Sequence, residues 1–392
     1  MGKSSLHRSS YYGLAEEKGG ESMKKIVFAC LAVVALVGGL LIGSLVSVRT
    51  QQIEVEHTCH ITPMLTITIH RADGSIETIT TKDPPTKNFI ELMTYIALEH
   101  SPSWKDTDGN THSAMDTEAS GSNPTVTVVF SNATSPSYSP DDYNIPDVVA
   151  DLNPSTSLGN NSTHAWITVS ATFTPSEAVN ITAVGLKLNN IDYDISDNVN
   201  TASAILFEDV LDEQQQLASG DSMGVTYSIY FTNGMTKNFV VLLKNYLFRG
   251  DGEDMQSYTD TGGSSRTVDN TYTSSTYFRG RDPTLSVALG TGASQDATTA
   301  YKLNNELTSI ETDPTLAYNG TTNAEYTVTV SYTSSSDVTI TETGFYTKVC
   351  WSQSRTDYNL LTDVLTFYDN PSISLSSGQS VTIVYKFTFD FS

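Results

Sequence analysis

The longest apolar stretch of this chain lies near its start. Residues 26–48 (IVFACLAVVALVGGLLIGSLVSV) carry no charge. At about 1.5 Å per residue, a helix of this length crosses a hydrocarbon layer of about 30 Å. Because Lys24 and Lys25 come just before it, the positive-inside rule predicts a cytoplasmic or leader segment 1–25, a transmembrane helix 26–48 and a remainder outside the membrane.

Two alternatives to a retained anchor remain open. Met23 and the two lysines after it are also typical of a cleaved signal peptide, although the apolar run exceeds the usual core of about 7–15 residues. A pilin-type leader ending at Gly20 is the other alternative, and it would place both lysines inside the mature helix. We expect a single-pass anchor in a cell membrane or viral envelope, with residues 49–63 as a stalk and the C-terminal ectodomain outside.

Downstream of the anchor, a helical pattern occurs twice. Segment 86–90 (TKNFI) returns at 236–240 as TKNFV, and apolar residues follow it at helical spacing in both places. Such spacing predicts a short amphipathic helix with one buried face. An internal repeat of this kind indicates a duplicated structural unit.

A strand pattern repeats together with the helix. Segment 167–173 (ITVSATF) matches 326–332 (YTVTVSY), and segment 179–186 (VNITAVGL) matches 338–345 (VTITETGF) at the same offset. We also align Asp209-Val210-Leu211 with Asp363-Val364-Leu365. Each copy closes on a strand in which apolar and polar residues alternate, which is typical of a half-buried antiparallel strand.

Together these patterns predict a mainly β protein. We expect two tandem antiparallel β-sandwich domains, each with one short helix, after an N-terminal transmembrane helix. The first β-sandwich repeat spans 64–232 and the second spans 225–392, so that adjacent copies share or abut a strand.

The second copy carries a recognisable set of motifs. The set comprises ALGTG at 288–292, Asp296, Ala297, Leu303, NEL at 305–307, ETGF at 342–345 and the closing strand from Gly378 to Phe389. This set resembles a pattern in phage tail-fibre-like and other virion surface proteins, over about residues 225–392. The resemblance implies a β-sandwich module of a virion or cell surface. The first copy has FSNA at 130–133 where the second has LGTG. The predicted anchor also departs from soluble tail fibres, and it favours a cell-surface or envelope protein.

Charge narrows the choice of partners. The formal net charge is −23 and only 17% of residues are charged. A strongly acidic surface repels phosphate backbones, so we expect no nucleic-acid partner.

Cysteines and glycosylation motifs agree with an exported chain. Cys30 lies in the apolar run, which leaves Cys59 and Cys350 to form one extracellular disulfide or to remain free or intermolecular thiols. Asn-x-Ser/Thr triplets are acceptors for N-glycosylation and occur only after the predicted anchor. The acceptor residues are Asn132, Asn160, Asn161, Asn180 and Asn319.

One segment has oxygen ligands at a spacing that suits a metal ion. Asp106, Asp108 and Asn110 alternate along the chain, and Asp116 follows. Such oxygens can converge on Ca²⁺, although the glycine position is not that of an EF-hand. An Asp-Gly hairpin turn is the alternative. We expect no cofactor other than this calcium ion.

The chain has no convincing catalytic constellation. It lacks His-Glu-x-x-His and Cys-x-x-Cys, and its single Gly-x-Ser-x-Gly match, at 220–224 (GDSMG), leads into the closing strand of the first copy rather than into a helix. The tripeptide 249–251 (RGD) is assigned to chance. We therefore expect a membrane-anchored extracellular structural protein, a subunit of a surface filament, coat or envelope spike, that associates with itself or with other surface proteins. The alternative is an adhesin that binds glycan or protein through its long loops at 100–125, 132–163 and 250–282. The aromatic residues of polar loops can stack on a ligand or pack on the sandwich edge, and they are Tyr138, Tyr143, Tyr272, Tyr277 and Phe278.

Overall fold

The residues given in the computed structural model cover most of the chain after the apolar run. They are residues 50–57, 61–82, 84–113, 115, 124–161, 164–193, 200–231, 234–266, 285–350 and 361–391. The predicted leader 1–25 and transmembrane helix 26–48 lie outside these ranges. Within them, no helix has both the length and the apolar character needed to cross a bilayer.

The first repeat contains one helix and two main sheets. Its elements are β2 Ile61–His70, β3 Ile76–Lys82, α1 Lys87–Leu98, β4 Trp104–Lys105, β5 Thr111–His112, β6 Thr125–Ser131, β7 Val148–Leu152, β8 Ser155–Asn160, β9 Ala165–Phe173, β10 Val179–Asp192, β11 Thr201–Leu217 and β12 Ser222–Phe231. One sheet has the order β3-β2-β12-β9-β8, and the other has the order β11-β10-β6-β7. All strand pairs in these two sheets are antiparallel.

The second repeat is built in the same way. Its elements are β1 Thr50–His57, α2 Lys237–Tyr246, β13 Tyr258–Thr259, β14 Ser265–Arg266, β15 Leu285–Gly290, β16 Glu306–Thr312, β17 Thr315–Asn319, β18 Asn323–Thr333, β19 Val338–Ile340, β20 Glu342–Cys350, β21 Leu361–Asp369, β22 Ile373–Leu375 and β23 Ser380–Asp390. The main sheets have the orders β1-β23-β18-β17 and β16-β15-β20-β21, while β19 and β22 form a separate pair. The prediction of a mainly β chain with antiparallel sheets is confirmed.

Strand order is the clearest mark of the repeat. Strands β8, β9 and β12 correspond to β17, β18 and β23, and strands β11-β10-β6-β7 correspond to β21-β20-β15-β16. In each repeat the two sheets also meet through aromatic rings, with centroids 5.2 Å apart for Phe130 and Phe173 and 5.7 Å apart for Phe367 and Tyr385. Alternating side chains of β12 and β23 are buried, as their period-two pattern predicts.

The structure corrects one alignment made from the sequence. The amide of Thr86 donates to the carbonyl of Leu206, and the amide of Thr236 donates to the carbonyl of Thr366. Leu206 is therefore equivalent to Thr366, and Asp209 is equivalent to Asp369. Our alignment of Asp209-Val210-Leu211 with Asp363-Val364-Leu365 was wrong because both strands are apolar in this region, so that similar short stretches match in more than one register.

Strand β1 belongs to the second repeat, although it precedes the first in sequence. Thr50–His57 pairs with β23 in parallel, with Thr50 opposite Ser380 and His57 opposite Phe387. In the first repeat the equivalent place beside β12 is taken by β2, which is antiparallel. Residues 49–63 were predicted to be a stalk, but 50–57 form an edge strand and 61–63 begin β2. This correction could not come from local pattern, because the pairing partner lies at the other end of the chain.

The two helices join the repeats. Each begins with a buried threonine cap, Thr86 or Thr236, whose side chain accepts a hydrogen bond from the amide three residues on. At the end of α1, the Tyr326 hydroxyl donates to the Leu98 carbonyl at 2.5 Å and the Thr347 hydroxyl donates to the Ala97 carbonyl at 2.6 Å. Both donors belong to the second repeat.

The second helix makes the reciprocal connection. Just after α2, the Arg249 carbonyl accepts a hydrogen bond from the Val126 amide of the first repeat at 2.8 Å. The Phe248 ring lies 5.9 Å from Phe89 and 6.3 Å from Phe207. Buried hydrophobic residues of both repeats form one continuous cluster. The boundary near 225–232 therefore divides two topological units that share a core.

Candidate functional site

Two equivalent corners of the molecule differ in their chemistry. The first-repeat corner consists of segment 132–147 after β6, together with Gly185 of β10 and Glu208 of β11. The second-repeat corner consists of segment 291–305 after β15, together with Glu342 and Gly344 of β20. These parts correspond because each segment follows the second strand in the order β7-β6-β10-β11 or β16-β15-β20-β21.

In the second-repeat corner a buried carboxylate holds the loop. Glu342 is 0% exposed. It accepts hydrogen bonds from the amides of Gly292 at 2.9 Å, Asn304 at 3.1 Å and Asn305 at 3.2 Å. The Gln295 side chain adds a fourth donor at 3.1 Å, and the Tyr368 hydroxyl adds a fifth at 3.0 Å.

These hydrogen bonds decide the charge of Glu342. Burial acts to raise its pKa, but the donors from Asn304, Gln295 and Asn305 outweigh burial and hold the pKa below its ordinary value. Gly292 must lack a side chain, since a Cβ there would lie 2.0 Å from the Glu342 Oε2 atom. Residues of the ALGTG, NEL and ETGF motifs thus meet at one buried carboxylate, which gives these motifs a structural explanation.

The first-repeat corner contains a buried acid without that support. Glu208 occupies the position of Tyr368, next to Asp209 in β11, and faces Gly185 across the strand pair. Its side chain is 2% exposed, and its Oε2 atom has no hydrogen-bond partner. The pKa of Glu208 is raised to about 8, mainly by burial and secondly by the negative charge of Asp142. At neutral pH this side chain is therefore mostly an uncharged acid.

A polar cleft opens at Glu208. It has a volume of about 310 Å³, and its lining residues are Ser135, Pro136, Ser137, Asp142, Tyr143, Asn144, Pro146 and Glu208. Tyr143 is 40% exposed at the rim, where the Lys105 Nζ atom lies 5.8 Å from the centre of its ring. Asp142 accepts a hydrogen bond from the Ser139 amide, and its pKa is raised by burial and by the charge of Asp141. The cleft thus combines two carboxyl groups, hydroxyl groups and one exposed ring.

Local sequence explains how Glu208 is positioned. It directly follows the apolar run 204–207 (AILF) of β11. This part of the strand is held on both sides, because Glu208 pairs with Gly185 of β10 and Phe207 forms a bridge with Pro85. Ile145 packs where Gly185 has no side chain, since a Cβ on this glycine would lie 2.3 Å from the Ile145 methyl.

The predicted calcium segment forms a tight hairpin between β4 and β5. The Asp106 Oδ1 atom accepts from the amides of Asp108 at 3.0 Å and Asn110 at 2.8 Å. Its Oδ2 atom contacts the Asn110 side chain at 3.0 Å and the His112 Nε2 atom at 2.8 Å. Asp116 lies outside the described residues. Within the described part of the chain, no three His, Cys, Asp or Glu side chains gather as metal ligands.

The second repeat has the same hairpin without the calcium pattern. Asp260 accepts from the Ser264 amide at 2.8 Å and from the Arg266 side chain at 2.8 Å, between β13 and β14. Arg266 thus corresponds to His112, and the carboxylate of each hairpin pairs with a basic side chain. This geometry favours the turn over calcium for Asp106, and calcium remains a prediction.

The other predicted sites differ in whether they are exposed, buried or outside the described residues. All five acceptor asparagines, Asn132, Asn160, Asn161, Asn180 and Asn319, are exposed. Cys59 lies outside the described residues, as does the side chain of Cys350, so the disulfide remains a prediction. Arg249 of the RGD tripeptide is only 5% exposed, which removes it as a surface recognition element.

The comparisons with known proteins identify no relative of this chain. No family model matches it, and neither the curated proteins nor the solved structures contain a match.

Glu208 was missed from the sequence. The signal that could have found it is a single glutamate at the end of an apolar strand run, in a position where the other repeat has a tyrosine. Of the predicted loop aromatics, Tyr143 lines the cleft, whereas Tyr138 donates its hydroxyl to the Pro85 carbonyl at 2.9 Å. The other three, Tyr272, Tyr277 and Phe278, lie outside the described residues.

Proposed function

We propose that this chain is a membrane-anchored extracellular structural protein, a subunit of a surface filament, coat or envelope spike, built from two β-sandwich repeats. The apolar run 26–48 would be its anchor, and the repeats would form its ectodomain. The observation that carries the proposal is the parallel pairing of β1 with β23, which connects the residues just after the apolar run to the end of the chain.

This pairing suits a protein that carries force. The start of β1 and the end of β23 lie at opposite ends of one parallel ladder. A pull between these two points loads the hydrogen bonds of the ladder together, because the strands must slide past each other. A strand peeled from one end would instead lose its bonds one at a time. The shared core of the two repeats supports the same role, since neither repeat can separate without exposing it.

A second candidate function is ligand binding by an adhesin. It is favoured by the cleft beside Glu208, which lies within the loop 132–163 that the sequence singled out. Clefts that hold a few polar groups on a rigid scaffold are typical of binding sites. The two functions are compatible in one surface protein.

The test of the structural proposal uses the full chain with a C-terminal tag. We expect it to stay in the membrane after alkaline carbonate washing, with the tag open to protease from outside and with ordered assemblies visible by electron microscopy. A matched control that lacks residues 26–48 should be released as soluble protein. A full chain that is released by carbonate, or that remains monomeric in the membrane, would overturn the proposal.

The contribution of β1 can be tested separately. Ile53 lies in mid-strand opposite Ile383, and Ile53→Pro removes a backbone N–H and restricts the backbone in the middle of the strand. We expect this variant to lose assemblies and to become protease-sensitive near residue 50, while Ile53→Val retains both properties. Equal behaviour of the two variants would contradict a load-carrying role for β1.

A further inference from the structure

The buried acid of the first-repeat corner is best explained by a ligand. We propose that the cleft beside Glu208 binds a primary ammonium group, carried by a lysine side chain of a partner protein or by a small amine, with the Glu208 carboxylate as its counter-ion. This inference specifies the ligand-binding form of the proposed function. It is independent of whether the chain forms filaments.

The scaffold does not require an acid at this position. In the second repeat the equivalent residue is Tyr368, whose hydroxyl donates to Glu342 at 3.0 Å and accepts from the Gln295 amide at 3.1 Å. Glu208 has the same backbone position but leaves Oε2 without a partner. A buried polar atom of this kind costs about 1–3 kcal/mol. A ligand that pairs with Oε2 would remove this cost.

The charges around the cleft favour a cation. The two carboxyl groups that line it are Glu208 and Asp142, and the negative charge of Asp142 acts on Glu208. Lys105, which lies over the Tyr143 ring at the rim, opposes this preference with one positive charge against the two carboxyl groups. The chain as a whole carries a net charge of −23, which attracts basic partners.

Geometry favours an ammonium over a guanidinium group. A guanidinium binds best to both oxygens of one carboxylate in a planar fork. Asp142 already uses one oxygen for the Ser139 amide, and Glu208 is only 2% exposed, which leaves little surface for a group as wide as a guanidinium. An ammonium is a compact charge with three donors, which can be shared among a carboxylate, a hydroxyl and a carbonyl. The volume of about 310 Å³ accommodates one extended alkylammonium chain.

Binding should release a proton. Glu208 holds its proton at pH 7, and an ammonium stabilises the ionised carboxylate. The proton leaves the Glu208 carboxyl for the buffer, so that a neutral acid and a cation become an ion pair. By linkage, about one proton should be released for each ligand bound near pH 7.

The test is calorimetric titration of the full chain in detergent with n-butylammonium, in two buffers of different ionisation enthalpy. We expect saturable binding with proton release. Glu208→Gln should lower the affinity at least about tenfold and abolish the release, because an amide cannot ionise. Glu177→Gln, which removes an exposed carboxyl elsewhere in the same repeat, should change neither. A thermal melt of Glu208→Gln shows whether its fold is retained.

Two further titrations distinguish the possible sources of the ammonium group and test ligands other than an amine. Tighter binding of a lysine-containing peptide than of n-butylammonium would identify a protein partner, whereas tighter binding of a diamine would identify a small amine. The proposal is overturned if n-butylammonium does not bind, if it binds the Glu208→Gln variant equally well, or if a neutral methyl glycoside binds more tightly without proton release. It is also overturned if Ca²⁺ displaces the amine at this cleft. If Glu208→Gln unfolds, Asp142→Asn must weaken binding about threefold for the proposal to stand.

Discussion

The two corners of this protein show what a duplicated fold keeps and what it changes. Both have a glycine in the third strand, Gly185 or Gly344, covered by an aliphatic side chain from the preceding loop, Ile145 or Leu303. In the second corner a carboxylate is surrounded by donors and remains ionised. In the first corner the donors are absent, and the carboxyl of Glu208 stays protonated. The same backbone thus stabilises a loop in one repeat and leaves a buried carboxyl oxygen without a hydrogen-bond partner at a cleft in the other.

The largest effect should come from removing the supported carboxylate. Glu342→Ala leaves as many as five donors without their acceptor. We expect the free energy of unfolding to fall by about 4 kcal/mol or more. Urea denaturation monitored by circular dichroism measures this change. A loss below about 1 kcal/mol would mean that segment 291–305 does not depend on Glu342.

The second largest effect is on the pH dependence of stability. Glu208, in the first-repeat corner, should destabilise the fold as pH rises, whereas the ionised Glu342 stabilises it. Below pH 4.5 Glu208 is protonated in the folded and unfolded states, so its ionisation makes no difference to stability there. As pH rises from 4.5 to about 8, the unfolded state ionises first, so the folded state loses stability. Glu208→Gln lacks this titration. It should match the wild type near pH 5 and be more stable by about 2–3 kcal/mol near pH 8.

The difference in stability between the wild type and Glu208→Gln reports the titration of Glu208 alone. Asp142 and Asp209, whose pKa values are also raised, titrate in both. Urea denaturation at a series of pH values gives the measurement, with Glu177→Gln as the control that should follow the wild type throughout. If Glu208→Gln is instead less stable at pH 8, then Glu208 is ionised and paired in the folded protein, and the contrast between the corners fails.

A third test concerns the threonine caps, a feature in which the two repeats should behave alike. Thr86 and Thr236 cap α1 and α2 and also donate their hydroxyls to the carbonyls of Ile205 and Leu365 at 2.7 Å. Thr86→Ala and Thr236→Ala should each lower the free energy of unfolding by about 1–2 kcal/mol. Thr→Ser at each position should retain most of it. Values that differ by more than about 1 kcal/mol would show that the repeats are unequal in their shared elements too.

The sequence was sufficient for the parts of the fold that follow local rules. Period-two alternation predicts β12 and β23, and the repeated TKNF segment predicts both helices, because burial of one face sets these patterns. Chain-distant pairing was not predictable in this way. Nothing in Thr50–His57 specifies a parallel partner at residues 380–387, since many polar and apolar alternations fit an edge strand.

The candidate site was out of reach for a related reason. The raised pKa of Glu208 depends on the absence of hydrogen-bond donors from the neighbouring loop. Such donors are mainly backbone amides, which nearly every residue has, so the sequence does not show whether they point at a given carboxyl group. The carboxylate of Glu342 could have been suspected from its motif, but only the structure shows that its partners are the amides of Gly292, Asn304 and Asn305.

The smallest expected effect concerns the hairpins that the two repeats keep in common. Burial acts to raise the pKa of Asp106, but hydrogen bonds from His112 and Asn110 hold it below its ordinary value, so the stability it provides is present above pH 4 and is lost as pH falls further. Asp106→Asn and the matched Asp260→Asn should each cost about 1 kcal/mol at pH 7. Because the oxygens of Asp106 are occupied by protein donors, adding Ca²⁺ should leave the melting temperature of the wild type unchanged. A rise with Ca²⁺ that Asp106→Asn abolishes and Asp260→Asn retains would instead establish the calcium site, and would make this hairpin a second place where the repeats have diverged.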